Sequence, residues 1–164
     1  MKNWAGNYTY SAARVEMPRS LEEVQSIVRA SRLLRALGSR HSFNEIADTT
    51  GSHVSLAELP RIYELDRAAS RVRVDGAVRY GELAVRLEAD GFALHNLASL
   101  PHISVAGACA TATHGSGNRS GNLATAVAGA AVELAPQAAR TAPATAAPPS
   151  KAPIRSRSRR LSST

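Results

Sequence analysis

Three short stretches hold the residues best suited to chemistry. In the first, Gly38-Ser39-Arg40-His41-Ser42-Phe43-Asn44 follows the apolar run Leu33 to Leu37. A strand that ends in a Gly-Ser turn directs several backbone N–H groups at one spot, which is how proteins hold phosphate oxygens. The turn also places the His41 imidazole beside that spot. The second stretch, Ala98 to Gly107, carries Ser99, His102, Ser104 and Gly107. In the third, small side chains flank Thr111, Thr113, His114, Gly115 and Ser116. Its hydroxyls and amides suit the oxygens of a phosphate or a sugar-like chain.

Each loop also has a plainer reading, as a surface connection with a solvated histidine. Two loops that each bring a histidine and small residues favour a ligand site more than either does alone. Other chemistries fit less well. The five histidines, His41, His53, His95, His102 and His114, include no helical i, i+4 pair, and Cys109 has no second cysteine to form a CxxC motif. No metal site is expected. No serine sits in a GxSxG elbow, and there is neither a GxGxxG fingerprint nor a Walker lysine.

Charge and composition narrow the class. There are 14 Lys/Arg and 13 Asp/Glu before residue 136, and six Lys/Arg with no acid from there on. The basic excess therefore belongs to the C-terminal stretch rather than to the body. With aromatics at 4% there is little for single-stranded nucleic acid to stack on. Arg155 to Arg160 is read as a solvated charge run, and no nucleic-acid partner is expected. A single cysteine fits a reducing compartment. Nothing resembles a secretory signal or a membrane span. The expectation is a cytoplasmic protein without a membrane partner.

The loops need elements to hold them. Ser20 and Glu23 form a helix-start signal before Leu21, Val24, Ile27 and Val28, which recur at helical spacing. Leu33–Leu37, Val54–Leu56 and Ile62–Leu65 read as strands, and the alternation in Arg71–Asp75 reads as a half-buried strand. Tyr80 to Asp90 has helical spacing and stops at Gly91. Residues 98–122 read as backbone lying close to a ligand, and Leu123 to Leu134 as an Ala-rich helix. The order suggests an α+β domain over 1–135. Residues 136–164 are Ala, Pro, Thr, Ser and Arg with few large apolar side chains, and are expected to be a disordered tail.

Asn3-Trp4-Ala5-Gly6-Asn7, Gly38 to Ala47, Gly81-Glu82-Leu83 and Ala98 to Gly117 together resemble the alditol oxidases (xylitol and sorbitol oxidases). These are flavoproteins of the vanillyl-alcohol-oxidase type, whose FAD-binding domain has the PCMH fold. The resemblance covers about residues 3–134. It implies an FAD held between two small α/β lobes, with its pyrophosphate on Gly38–Asn44. It places His41 where the flavin 8α-methyl becomes covalently linked, and Ser99 on the substrate side of the flavin as the candidate catalytic residue. Thr111, Thr113, His114, Gly115 and Ser116 fall in a second FAD-contacting loop, and His102, Ser104 and Gly107 line the same cofactor. The implied reaction oxidises a polyol CH–OH, with O₂ returning as H₂O₂. The sugar-1,4-lactone oxidases, acting on gulono- or arabinono-lactone, share this front half. A non-catalytic flavin-holding fragment is the further alternative.

The sequence departs from the family pattern in three places. Arg40 and Ala112 stand where glycine is usual, which strains the chain if those positions need positive φ. The alternative reading of Arg40 is a clamp on the pyrophosphate. The resemblance also ends near Leu134, so a truncation or a frameshift is expected, which resequencing the locus would test.

Overall fold

The computed structural model describes residues 1–128 and 131–136. Two small lobes each carry one sheet. In the first lobe, strands β1 (Arg14–Glu16), β2 (Leu34–Ala36) and β3 (Ser52–Val54) form a parallel sheet in the order β1-β3-β2. Helix α1 (Leu21–Ala30) connects β1 to β2. Its start is as the sequence predicts: the Ser20 hydroxyl accepts from the Glu23 N–H at 3.2 Å. The Glu23 carboxylate reaches back one residue further than a capping box requires, to the Arg19 N–H at 2.6 Å.

The expected apolar stripe of α1 is only partly covered. Val24 and Ile27 are half-buried, while Leu21 is 61% exposed and Val28 53%. Three-residue strands give the helix too little sheet to lie on. The first lobe instead buries Tyr10, Leu37, His53 and Val54.

The second lobe holds the main core. Strands β4 (Tyr63–Asp66), β5 (Arg71–Val74), β6 (Phe92–Leu94) and β8 (Ala131–Pro136) run in the order β4-β5-β8-β6, and β7 (Val127–Ala128) also pairs with β8. Helix α2 (Tyr80–Ala89) packs Tyr80, Leu83 and Leu87 against Val72, Ile103, Val105, Ala108, Leu123 and Ala126. Gly91, at φ +82°, ends this helix as expected. A side-chain tie fastens the same end: the Tyr63 hydroxyl donates to Asp90 at 2.8 Å, and the Arg86 guanidinium lies 3.7 Å over the Tyr63 ring. Burial, then the bond to Asp90, pushes the Tyr63 hydroxyl up to about 12.

Three expectations change. Leu123–Leu134 is not a helix: it is a 3₁₀ turn, Leu123–Ala126, followed by β7 and β8. Alanine is the best helix former, but propensity is a local preference that tertiary context overrides, and here the strand closes a ladder. Arg71, Val72 and Arg73 face Glu133, Val132 and Ala131, while β6 pairs with 134–136. Residues 98–122 are not all loop, because they include helix α3 (Val105–Ala110), whose Val105 and Ala108 are core. The third strand lies at Ser52–Val54 rather than Val54–Leu56. Of the expected tail, only Pro136 is described; the rest lies outside the described residues.

Leu83 is 1% exposed at the centre of this core. Leu83→Ala should lower unfolding stability by about 2–5 kcal/mol, read from urea denaturation midpoints.

Candidate functional site

The loop Gly38–Asn44 leaves β2 just after Leu37, whose N–H donates to the Val54 carbonyl at 2.8 Å. From Gly38 to Asn44 no backbone N–H has an acceptor among the described residues. The carbonyls behave differently. Arg40 O accepts from Trp4 N at 2.8 Å, Ser42 O from Asn3 Nδ2 at 2.9 Å, and Phe43 O from Asn7 Nδ2 at 3.0 Å. In a trans peptide the C=O and the following N–H point in opposite directions. Holding these three carbonyls therefore turns the N–H groups of His41, Phe43 and Asn44 away from the N-terminal segment. The result is a row of fixed donors, a nest suited to anionic oxygens.

The segment that holds them is itself tied down. Asn3 is buried, and its amide also donates to Asn7 Oδ1 at 2.7 Å while its oxygen accepts from Tyr8 N at 3.1 Å. Asp48 anchors the far end, accepting from the Tyr8 hydroxyl at 2.8 Å and from the Ser11 N–H at 2.9 Å. Burial works against the Asp48 carboxylate, but hydrogen bonds from Ser11, Tyr8 and Thr49 outweigh it and bring its pKa down to about 2.

His41 and His102 meet across the two lobes, Nε2 to Nε2 at 2.5 Å. Trp4 stacks on both, with ring centroids 4.4 Å from His41 and 5.0 Å from His102. Phe43 presents its edge to His41 at 5.8 Å. Burial holds the His41 imidazole below its usual value; its own backbone pulls the other way, and His102 adds to the lowering. This lowering favours the neutral form of His41, the one that can act as a nucleophile.

Beside this pair, the Ser39 hydroxyl accepts from the Ser104 N–H at 3.2 Å. A Cβ on either Gly38 or Gly107 would lie 2.7 Å from Ser104 Oγ, so a side chain at either position would make the Ser104 hydroxyl turn away. Thr111 Oγ1 donates to Gly107 O and lies 3.1 Å from Thr113 Oγ1. Gly115 is packed against Asn96 and Leu97, with His114 Nδ1 2.9 Å from its carbonyl. Ser99 and Ser116 are exposed, with no hydrogen-bond partner among the described residues. Asn44 Oδ1 accepts from Ile46 N at 3.1 Å, which leaves its backbone N–H and its side-chain Nδ2 as donors for a ligand.

The structure therefore joins Ser39, His41, Phe43, His102 and Ser104 in one place. It groups Gly107, Thr111 and Thr113 on α3 and the turn after it. Asn3, Trp4, Asn7, Tyr8 and Asp48 were missing from the expected site. Their sequence signal is the Asn3-Trp4…Asn7 spacing, whose role shows only when the loop lies against it.

Arg40 (φ +61°) and Ala112 (φ +51°) occupy the left-handed region. Both places where glycine was expected therefore do take the conformation that glycine favours. The Arg40 guanidinium turns to the Lys2 carbonyl at 3.3 Å.

A family model described as an FAD binding domain matches residues 12–136. The chain is 51% identical over 125 residues to an alditol oxidase of Streptomyces sp., covering 74% of this chain and 30% of that protein. It is 32% identical over 125 residues to an L-gulono-1,4-lactone dehydrogenase of Mycobacterium tuberculosis, covering 74% and 29%. It thus spans about 30% of the length of these curated relatives. Among solved structures, an alkyldihydroxyacetonephosphate synthase superposes with a TM-score of 0.58 at 17% identity, over 68% of this chain and 23% of that one, a likeness of fold.

Two outcomes follow from this geometry. A left-handed non-glycine residue costs about 1–2 kcal/mol, part of which glycine returns as chain entropy. Arg40→Gly should therefore raise the urea midpoint and Arg40→Ala should not; equal midpoints would show that the loop absorbs the strain. Asp48 has a depressed folded pKa, so its contribution is complete above 3.8 and is lost as pH falls toward about 2. Urea midpoints measured across that window should decline more steeply in the wild type than in Asp48→Asn.

Proposed function

The chain belongs to the FAD-binding domain family, and from that premise we propose that it is the cofactor-holding part of an oxidase that oxidises a CH–OH group of a polyol. O₂ is the electron acceptor and H₂O₂ the product. The row of N–H donors at His41, Phe43 and Asn44, set beside the His41 imidazole, carries this reading. The 51% identity to an alditol oxidase supports the choice of substrate. A sugar lactone is the second reading, supported by the similarity to an L-gulono-1,4-lactone dehydrogenase. The single cysteine, Cys109, supports a cytoplasmic setting. Among the described residues no helix is long and apolar enough to cross a membrane.

The donor set fits the cofactor. Amides fixed on the open side of the loop suit a pyrophosphate better than flexible side chains do, because their ordering is complete before binding. Thr111, Thr113 and Ser116 offer hydroxyls for further cofactor oxygens, with Gly107, His114 and Gly115 shaping that turn. Ser99 is exposed three residues before His102 and takes the role of orienting substrate. When bound, FAD supplies the redox chemistry: it takes two electrons from the CH–OH carbon and passes them to O₂.

His41 is the point of covalent attachment in this reading. His41 would hold the flavin by bonding an imidazole nitrogen to its 8α-methyl carbon in place of one C–H and the imidazole N–H, and the two electrons and two protons released would pass to O₂ as H₂O₂. Burial of His41 favours this step by keeping a nitrogen lone pair free.

The test is in-gel flavin fluorescence of the purified chain after denaturing electrophoresis, beside His41→Ala. A fluorescent band that His41→Ala abolishes is expected. Absence of flavin from both the native and the denatured sample would overturn the reading. Peroxide release with a polyol but not with an aldono-lactone separates the two substrate classes.

A further inference from the structure

We propose that His102 is a positioning residue for His41: the two imidazoles hold one proton between their Nε2 atoms, with Trp4 stacked across both rings, so that His41 stays neutral and ordered for attachment. The proposal rests on the reading of His41 as the attachment residue.

The argument begins with the separation. At 2.5 Å, one Nε2 must donate and the other accept. Two imidazolium ions would point their N–H groups at each other, so this geometry admits only one proton in the contact. With His41 Nε2 engaged, a bond to His41 has to form at its other nitrogen. The proton shed at Nε2 then has an acceptor already touching it.

Both partners are held from outside the contact. The Pro101 and Ile103 carbonyls, on either side of His102, accept from Gly81 N at 2.7 Å and Tyr80 N at 3.0 Å. These are among the amides that a helix start leaves without intrahelical partners, so His102 is fixed to the first turn of α2. On the other side, Trp4 N donates to the carbonyl of Arg40, the residue before His41. The indole thus moves with the loop and covers both rings. The titratable and charged groups beside His41 are His102 across the contact and Arg40 in the same loop. Arg40 directs its guanidinium to the Lys2 carbonyl at 3.3 Å.

Trp4 is the only tryptophan in the chain, so its emission reports on this pair without any flavin. The experiment titrates tryptophan emission of the full chain from pH 8 to 4 in the wild type, His102→Ala and His102→Gln. The wild-type midpoint should fall below the ordinary imidazole value of about 6.5. In His102→Ala it should rise by about one unit. Covalent attachment, measured at equal total flavin, should slow by at least about tenfold in His102→Ala. In His102→Gln, which keeps a side-chain hydrogen-bond partner, it should recover in part.

A wild-type midpoint at or above the ordinary value, or coincident midpoints in all three proteins, would overturn the proposal. So would attachment at wild-type rate in both variants. If the titration behaves as expected but the wild type binds flavin only non-covalently, the attachment reading fails and the one-proton pair stands. Attachment at His41 together with coincident midpoints would sink the pair alone.

Discussion

The site depends on the capture of three carbonyls. Left to itself, an exposed Gly-Ser loop would point its peptide dipoles wherever water took them. Here Trp4 N, Asn3 Nδ2 and Asn7 Nδ2 hold the carbonyls of Arg40, Ser42 and Phe43. Peptide planarity then directs the amides of the following residues to the other side. An anion that meets this loop finds donors already aimed, so little ordering entropy opposes binding. The N-terminal segment can do this because Asn3 is buried with its amide and carbonyl satisfied, and because Asp48 fastens the segment's far end.

The second constraint is the seam between lobes. The first lobe supplies the loop but has a thin core, and its only long helix buries no residue fully. The second lobe has the packed core around Leu83 and Leu87 and lends rigidity across the seam. Ser104 takes Ser39 against it, and His102, fixed to the start of α2, takes His41. The most reactive side chain therefore belongs to the weaker lobe but takes its position from the stronger one.

Of the three non-glycine residues with positive φ among the described residues, two lie in the loops expected to meet the cofactor, and the third, Ser70, lies in the turn between β4 and β5. Arg40 and Ala112 both have positive φ, and each lies within four residues of an expected ligand contact. Such conformations persist only where neighbours over-determine them. For Arg40 the neighbours are visible: its carbonyl is held by Trp4 and its guanidinium reaches the Lys2 carbonyl. For Ala112 the turn is closed by Ala112 N to Cys109 O at 3.3 Å and Thr113 N to Ala108 O at 3.0 Å.

Features set by near neighbours were legible in the sequence. The Ser20 cap, the alternation of Arg71–Val74, the Gly91 stop and the turn at Gly38 each need only residues a few positions away, so their pattern survives in one dimension. The candidate loops and their histidines were legible for the same reason, with the family resemblance supplying the cofactor. What the sequence could not show depends on distant partners. Residues 131–136 are strand because β5 and β6 present ladder edges to them, and this tertiary pairing overrides the local helical preference of alanine. Asn3 and Asn7 matter because a loop some forty residues away lies against them. The pairing of His41 with His102 spans 61 residues and joins two lobes. Propensity is a local quantity, whereas these hydrogen bonds exist only after the chain has closed on itself, and so tertiary structure alone decided them.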